Sequence, residues 1–301
     1  MIYKLSKFPC GNIIFTTITS IIYLYDNKFN FLKKEENNEF NDFCIKDDIT
    51  FATYNNRKIK IWNINQKNYI FNFISIIDLS LQFSKIDIIK NGDILGITNN
   101  SCDYEGPYEF FIYQKSNKNN YEKKCAIKFN KLVISFIITK NNKDLVICSR
   151  KNIYIYEYKN LKLKEGPIKY GNDYRILLKS EFILLEENII ALIQVIDTNN
   201  YYGSYDKKSQ IFFLDLSNNN NDIAKNTKYL FGNVYSQLIY FPTKNIFIIT
   251  YSNEINYVSL YNLLKGFYSP KKTWISGDFM KLDENNICNY KGNIIRIYEI
   301  K

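Results

Sequence analysis

Ile59-Lys60-Ile61-Trp62-Asn63-Ile64 alternates apolar and polar positions and closes on an aromatic followed by a polar residue. A period of two marks an extended strand with one face buried. The same phrase recurs along the chain. It reads Ile22-Tyr23-Leu24-Tyr25-Asp26, Phe110-Phe111-Ile112-Tyr113-Gln114 and Ile153-Tyr154-Ile155-Tyr156-Glu157-Tyr158. Further copies are Val258-Ser259-Leu260-Tyr261-Asn262-Leu263, Ile295-Arg296-Ile297-Tyr298-Glu299-Ile300 and Ile211-Phe212-Phe213-Leu214-Asp215-Leu216, the last with Leu in the aromatic place. The anchors Tyr25, Trp62, Tyr113, Tyr156, Leu214, Tyr261 and Tyr298 are separated by 37, 51, 43, 58, 47 and 37 residues.

Ahead of each anchor stands a second apolar run introduced by a turn. The turns are Phe8-Pro9-Cys10-Gly11-Asn12, Lys46-Asp47-Asp48, Lys90-Asn91-Gly92-Asp93, residues 140–144, Glu186-Glu187-Asn188, residues 241–245 and Asp283-Glu284-Asn285-Asn286. Gly and Asn tolerate positive φ, Asp and Asn bond their own backbone, and Pro pre-sets φ, so these clusters belong in tight β-turns. Seven turn–strand–strand units with a mean spacing of about 45 residues fall in the range of propeller blades. The units resemble the WD40 repeat, in which an apolar run, a turn and a second run precede a strand ending in Trp-Asp. Ile61-Trp62-Asn63 comes nearest to that ending. The resemblance covers nearly the whole chain. It implies an all-β, seven-bladed β-propeller in a single domain, residues 1–301. The blades fall roughly at 1–36, 37–76, 77–130, 131–169, 170–232, 233–276 and 277–301. A misread insertion would change the count to six or eight. No segment keeps a 3.6-residue period, which argues against a two-domain α/β reading.

The sequence departs from the family. It has no histidine, and only Tyr25-Asp26 and Leu214-Asp215 keep the Asp after the anchor. The family's Asp–His–Ser–Trp hydrogen-bond network is therefore not expected, and strand packing must hold the blades. Polar-flanked segments near residues 29–33, 69–74, 125–129, 161–168, 228–231 and 272–275 supply candidate fourth strands. Nothing comparable follows the last anchor, so the final blade is expected to have three strands, with Asn293 to Ile300 an open edge for a strand-donating peptide. Certain coat and nuclear-pore propellers are completed in a similar way.

Composition narrows the function. Without histidine there are no His-based triads, zincin motifs or imidazole metal sites. No Gly-rich dinucleotide or P-loop run occurs, so no cofactor, metal or catalytic residue is signalled. The net charge is +10, yet the lysines are scattered and only Arg57, Arg150, Arg175 and Arg296 carry guanidinium groups. Ile, Asn, Lys, Tyr and Phe share AT-rich codons, so genome bias explains much of this basicity. A lysine-driven nucleic-acid or acidic-membrane binder is the weaker reading. The six cysteines form no C-x-x-C pair and read as small buried hydrophobes of a reducing compartment. No run of 18 apolar residues occurs, so an intracellular chain without a transmembrane segment is expected.

Two insertions between second and third strands, residues 99–108 and 197–209, project from one face. Tyr104, Tyr108, Tyr201, Tyr202 and Tyr205 are candidate partner contacts, because tyrosine is enriched at interface hot spots. Together these readings favour a non-catalytic protein–protein interaction scaffold in a larger assembly. The alternative is a propeller hydrolase or lyase with a carboxylate site at the channel mouth.

Overall fold

A computed structural model describes residues 2–36, 40, 42–55, 57–78, 83–98, 108–116, 120–139, 142–149, 152–169, 176–185, 189–197, 207–217, 227–230, 235–251, 254–259, 271–274, 278–292 and 294–300. One turn of 3-10 helix, Pro242–Lys244, is the only helical element among them. All the rest of the regular structure is β-strand, gathered into seven sheets that take their strands in chain order.

The first sheet is β1 (Ile2–Lys7), β2 (Ile13–Thr17), β3 (Ile21–Tyr25) and β4 (Phe31–Glu36). The second is β5 (Asp42–Ile45), β6 (Thr50–Tyr54), β7 (Lys58–Ile64) and β8 (Phe71–Asp78). The third is β9 (Phe83–Ile88), β10 (Ile94–Thr98), β11 (Tyr108–Lys115) and β12 (Tyr121–Phe129). The fourth is β13 (Val133–Ile138), β14 (Asp144–Ser149), β15 (Asn152–Glu157) and β16 (Lys162–Lys169). The fifth is β17 (Ile176–Leu184), β18 (Ile189–Asp197), β19 (Lys207–Asp215) and β20 (Thr227–Leu230). The sixth is β21 (Tyr235–Phe241), β22 (Ile246–Tyr251), β23 (Glu254–Ser259) and β24 (Lys271–Trp274). The last sheet has three strands, β25 (Asp278–Lys281), β26 (Asn286–Lys291) and β27 (Ile294–Glu299). The chain divides into two compact units, Met1–Leu132 with Tyr290–Ile295, and Val133–Asn289 with Arg296–Lys301.

The second strands explain why the sheets stack. Every residue of β10 and of β14 is buried, so these strands are covered on both faces. An antiparallel sheet with one wet face would alternate instead. The cores lie between successive sheets. Within the first unit, Phe8, Ile14 and Leu24 pack on Phe43, Phe51 and Phe71 of the next sheet. Ala52, Ile59 and Ile61 then pack on Phe83, Ile86 and Phe111. Within the second unit, Val146, Ile153 and Ile155 meet Phe182, Ile190 and Leu214. Phe241 and Ile248 meet Phe279 and Ile287.

Six anchors fall in described residues, each at or near the end of a third strand, while Tyr261 lies outside them. The anchors are less deeply buried than a strict alternation predicts. Trp62, Tyr113 and Tyr298 are only partly buried against neighbouring cores. The residue before the anchor is the deeper one: Leu24, Ile61, Ile112 and Ile155 are almost completely enclosed. Leu214 is the exception and is fully buried. The Trp62 indole Nε1–H donates to Thr53 Oγ1 at 2.8 Å, tying the third strand of the second sheet to its own second strand.

The turns before three outer strands hold a conformation the sequence does not advertise. Phe29, Tyr69 and Leu161 have φ of 63, 56 and 56°. Each amide closes a tight turn, onto the carbonyls of Asp26, Asn65 and Glu157. Bulky residues occupy the left-handed region at a cost of about 1–2 kcal/mol each. Strand β8 also runs to Asp78, two residues past the expected end of the second blade.

Candidate functional site

In the first unit the side chains of Lys4, Asp42, Tyr54 and Asp87 converge around Cys44. Lys4 is on β1, Asp42 and Cys44 on β5, Tyr54 on β6 and Asp87 on β9, so three successive sheets contribute. The register that aligns Asp42 with Tyr54 across β5 and β6 makes the arrangement possible. Lys4 Nζ donates to Asp42 Oδ1 at 2.6 Å and to the Phe43 carbonyl at 2.8 Å, with its ammonium 5.0 Å from the Phe43 ring centroid. Tyr54 Oη donates to Asp42 Oδ2 at 2.9 Å, and the Phe43 amide donates to Asp42 Oδ1 at 2.7 Å. Asp42 is thus engaged on both oxygens, and the group works as a clasp between the first two sheets.

Burial pushes the Tyr54 hydroxyl far above its ordinary range, and the Asp42 carboxylate adds to the effect. Burial likewise drives the Cys44 thiol far up, with Asp87 and Asp42 also raising it and Lys4 opposing them. A thiol held protonated is a poor nucleophile. Asp87 remains solvent-accessible but is surrounded by protein, and this partial desolvation raises its carboxyl. The Ile88 amide and the charges of Lys85 and Lys4 oppose that rise. Among the described residues no group of three or more His, Cys, Asp or Glu side chains is placed to hold a metal ion.

Of the sequence-predicted partner contacts, only Tyr108 falls among the described residues. Tyr104, Tyr201, Tyr202 and Tyr205 lie outside the described residues. Tyr108 opens β11 and is only 2% exposed, so it packs into its sheet and offers a partner no surface. Gly106-Pro107 reads as loop continuing through Tyr108, whereas its pairing with Phe129 starts the strand there. A mixed-charge cleft of about 500 Å³ lies in the second unit, lined by Lys143, Glu157, Lys162, Leu163, Lys164 and Glu165 among others. Lys164 is bound at 2.7 Å to the buried Asp144, which anchors one wall.

Among the described residues the last sheet has three strands, β25 to β27. Strand β1 pairs with β2, and the Ile2 amide donates to the Gly292 carbonyl of the last hairpin at 2.9 Å. Ile294 and Ile297 of β27 are 55% and 53% exposed. Five cysteines, Cys10, Cys44, Cys125, Cys148 and Cys288, carry free thiols. No helix among the described residues is long and apolar enough to cross a membrane.

No protein-family model and no curated protein matches the chain. Solved structures do. The beta-propeller domain of Cps50 (Swd1) from Myceliophteria thermophila aligns over 100% of this chain and 96% of its own, with 8% identity and a TM-score of 0.62. A chain of the COPII outer coat vertex on membranes aligns over 98% of this chain and 82% of its own, at 13% identity and a TM-score of 0.69. An oligogalacturonate lyase in complex with manganese aligns over 94% and 84%, at 8% identity and a TM-score of 0.64. At such identities the likeness speaks of fold alone, and that fold is the all-β propeller, similar to WD40 propellers.

Proposed function

We propose that the seven sheets are the blades of one seven-bladed propeller acting as a non-catalytic scaffold that binds other proteins in a larger assembly. The observation that carries this reading is the three-stranded last sheet, whose edge strand β27 presents Ile294 and Ile297 to solvent. Unpaired backbone groups beside exposed apolar side chains suit a strand donated by a partner across residues 294–299. The similarity to a chain of a coat assembled on membranes supports a role in an assembly. Affinity capture of the tagged chain from its own organism, with wild type beside Ile297→Lys, is the test. A stoichiometric partner lost from the variant is expected. Capture of no stoichiometric protein would sink the scaffold reading, and a partner retained by Ile297→Lys would remove β27 from it.

An enzyme reading draws on one observation, the approach of Asp42 and Asp87 to the same thiol, together with the lyase of similar fold. General acid–base work needs a carboxylate free to exchange a proton with substrate. Asp42 is committed to Lys4 and Tyr54, which leaves Asp87 alone for that task.

A further inference from the structure

The outer strands of most sheets carry the charges that protect an edge from pairing with another chain. Strand β4 reads Phe31-Leu32-Lys33-Lys34-Glu35-Glu36, β12 holds Glu122, Lys123, Lys124 and Lys128, and β16 holds three lysines, Glu165 and Pro167. β20 and β24 carry lysines as well. Strand β8 is different. It reads Phe71-Asn72-Phe73-Ile74-Ser75-Ile76-Ile77-Asp78, with no charge before its last residue and no proline. It lies within a seventeen-residue stretch, 68–84, whose single charged residue is Asp78.

Among the described residues β8 pairs only with β7, as the last strand of its sheet. Alternate N–H and C=O groups of such a strand point away from the sheet without a ladder partner. Ile70, Phe73 and Ile76 are 45%, 54% and 43% exposed at this rim. Phe73 is held edge-on to Trp62 at 5.6 Å, so its ring is fixed in place. An edge whose first seven residues are uncharged and mostly apolar is a liability unless it is covered, and natural sheets avoid leaving one bare.

Charge at the two ends of β8 says what covers it. Lys67 stands exposed in the turn that leads into Phe71, and Lys58 lies opposite Asp78 with Arg57 exposed beside it. Each end of the apolar strip therefore carries a net positive charge, Lys67 at one and Arg57 with Lys58 against the single Asp78 at the other, in a chain of net charge +10. A second copy of this chain paired along the same edge would bring two net-positive ends together.

We propose that the free edge of β8 docks an extended segment of a partner protein, apolar at alternating positions and acidic at both ends, as a fifth strand of the second sheet. Backbone pairing supplies the affinity, the Phe73–Ile76 strip reads the apolar positions, and Lys67, Arg57 and Lys58 read the acidic ends. The site is separate from β27 and does not rest on it.

The test is fluorescence anisotropy with the full chain and a labelled synthetic peptide of three Val-Thr pairs between Asp-Glu ends. Saturable binding is expected, weakened at least ten-fold by Ile76→Lys, by Lys ends on the peptide, and by N-methylation of the peptide amides along one edge. The N-methylated peptide leaves the protein untouched, so its result stands whatever Ile76→Lys does to folding. Binding should be unchanged in Ile297→Lys, which separates this edge from β27. The proposal is overturned by no saturable binding, by equal binding of the N-methylated or Lys-ended peptide, or by loss in Ile297→Lys alone. Sedimentation showing a dimer that Ile76→Lys dissolves would assign the edge to a second copy and overturn it too.

Discussion

Gly96 stands on the fully buried β10 directly opposite Phe111, whose ring lies across the space a Cβ would need. The ring cannot swing away, because it packs with Phe83, Ile86 and Ile94 in the same core. Gly96→Ala should therefore cost about 1–3 kcal/mol through overpacking, read as a lower denaturation midpoint, and Phe111→Leu in the same chain should recover part of the loss. The indole–hydroxyl bond of Trp62 and Thr53 is smaller in scale. Thr53→Ala and Trp62→Phe should show a coupling of about 1 kcal/mol in a double-mutant cycle, and strict additivity would mean that the bond contributes nothing. Asp87 gives a pH signature. Its carboxyl is raised by burial, so the folded state holds the proton more tightly than the unfolded one, and stability falls as pH rises from the ordinary carboxylate range through the raised value. Asp87→Asn should stabilise the protein at neutral pH and make no difference in acid, below the unfolded value. A stabilisation that persists unchanged at low pH would show that ionisation is not its cause.

Among the elements, the strands were legible because turn chemistry and period-two alternation agree at nearly every unit. Phe8 to Asn12 turns the chain between β1 and β2, with the Gly11 amide on the Phe8 carbonyl, as its composition predicts. Asp283 accepts the amides of Asn285 and Asn286 before β26, again a local device visible in sequence. The clasp of Lys4 and Asp42 was not legible. Its partners are 38 residues apart, and only the packing of one sheet on the next brings them together. The left-handed positions Phe29, Tyr69 and Leu161 were invisible for a different reason: each turn contains Asn, but a bulky residue rather than Gly or Asn takes the positive φ. Tyr108 was misplaced because sequence shows where turn residues end but not where ladder pairing begins. The two insertions remain the sequence's best guess at a loop surface. Shortening 99–107 or 198–206 to a tight turn should leave the melting temperature within a few degrees, since connecting loops tolerate length changes far better than the strands they join. A collapse of stability on either deletion would mean that the loop is part of the fold, and loss of partner capture with stability intact would support the Tyr-based surface.

At the scale of the whole molecule, the stack is held by what lies between sheets more than by any one sheet, and that makes its stability uneven. Strands covered on both faces, such as β10 and β14, can open only when two interfaces part, so their amides should exchange with solvent only through the largest openings of the chain. An outer strand is released by breaking one ladder, and among the described residues β27 pairs only with β26. Exchange measured by mass spectrometry should therefore run from slowest in β10 and β14, through the third strands, to fastest in β27 and the outer strands. Strand β8 tests the reasoning most sharply, because it is an outer strand with an apolar edge. Alone it should exchange like β4 and β12. With the acid-ended peptide bound, its protection should rise toward that of β7 while β27 stays as fast as before. If β27 proves as slow as β14 in the isolated chain, its outer edge is already covered, and the picture of an open final sheet fails.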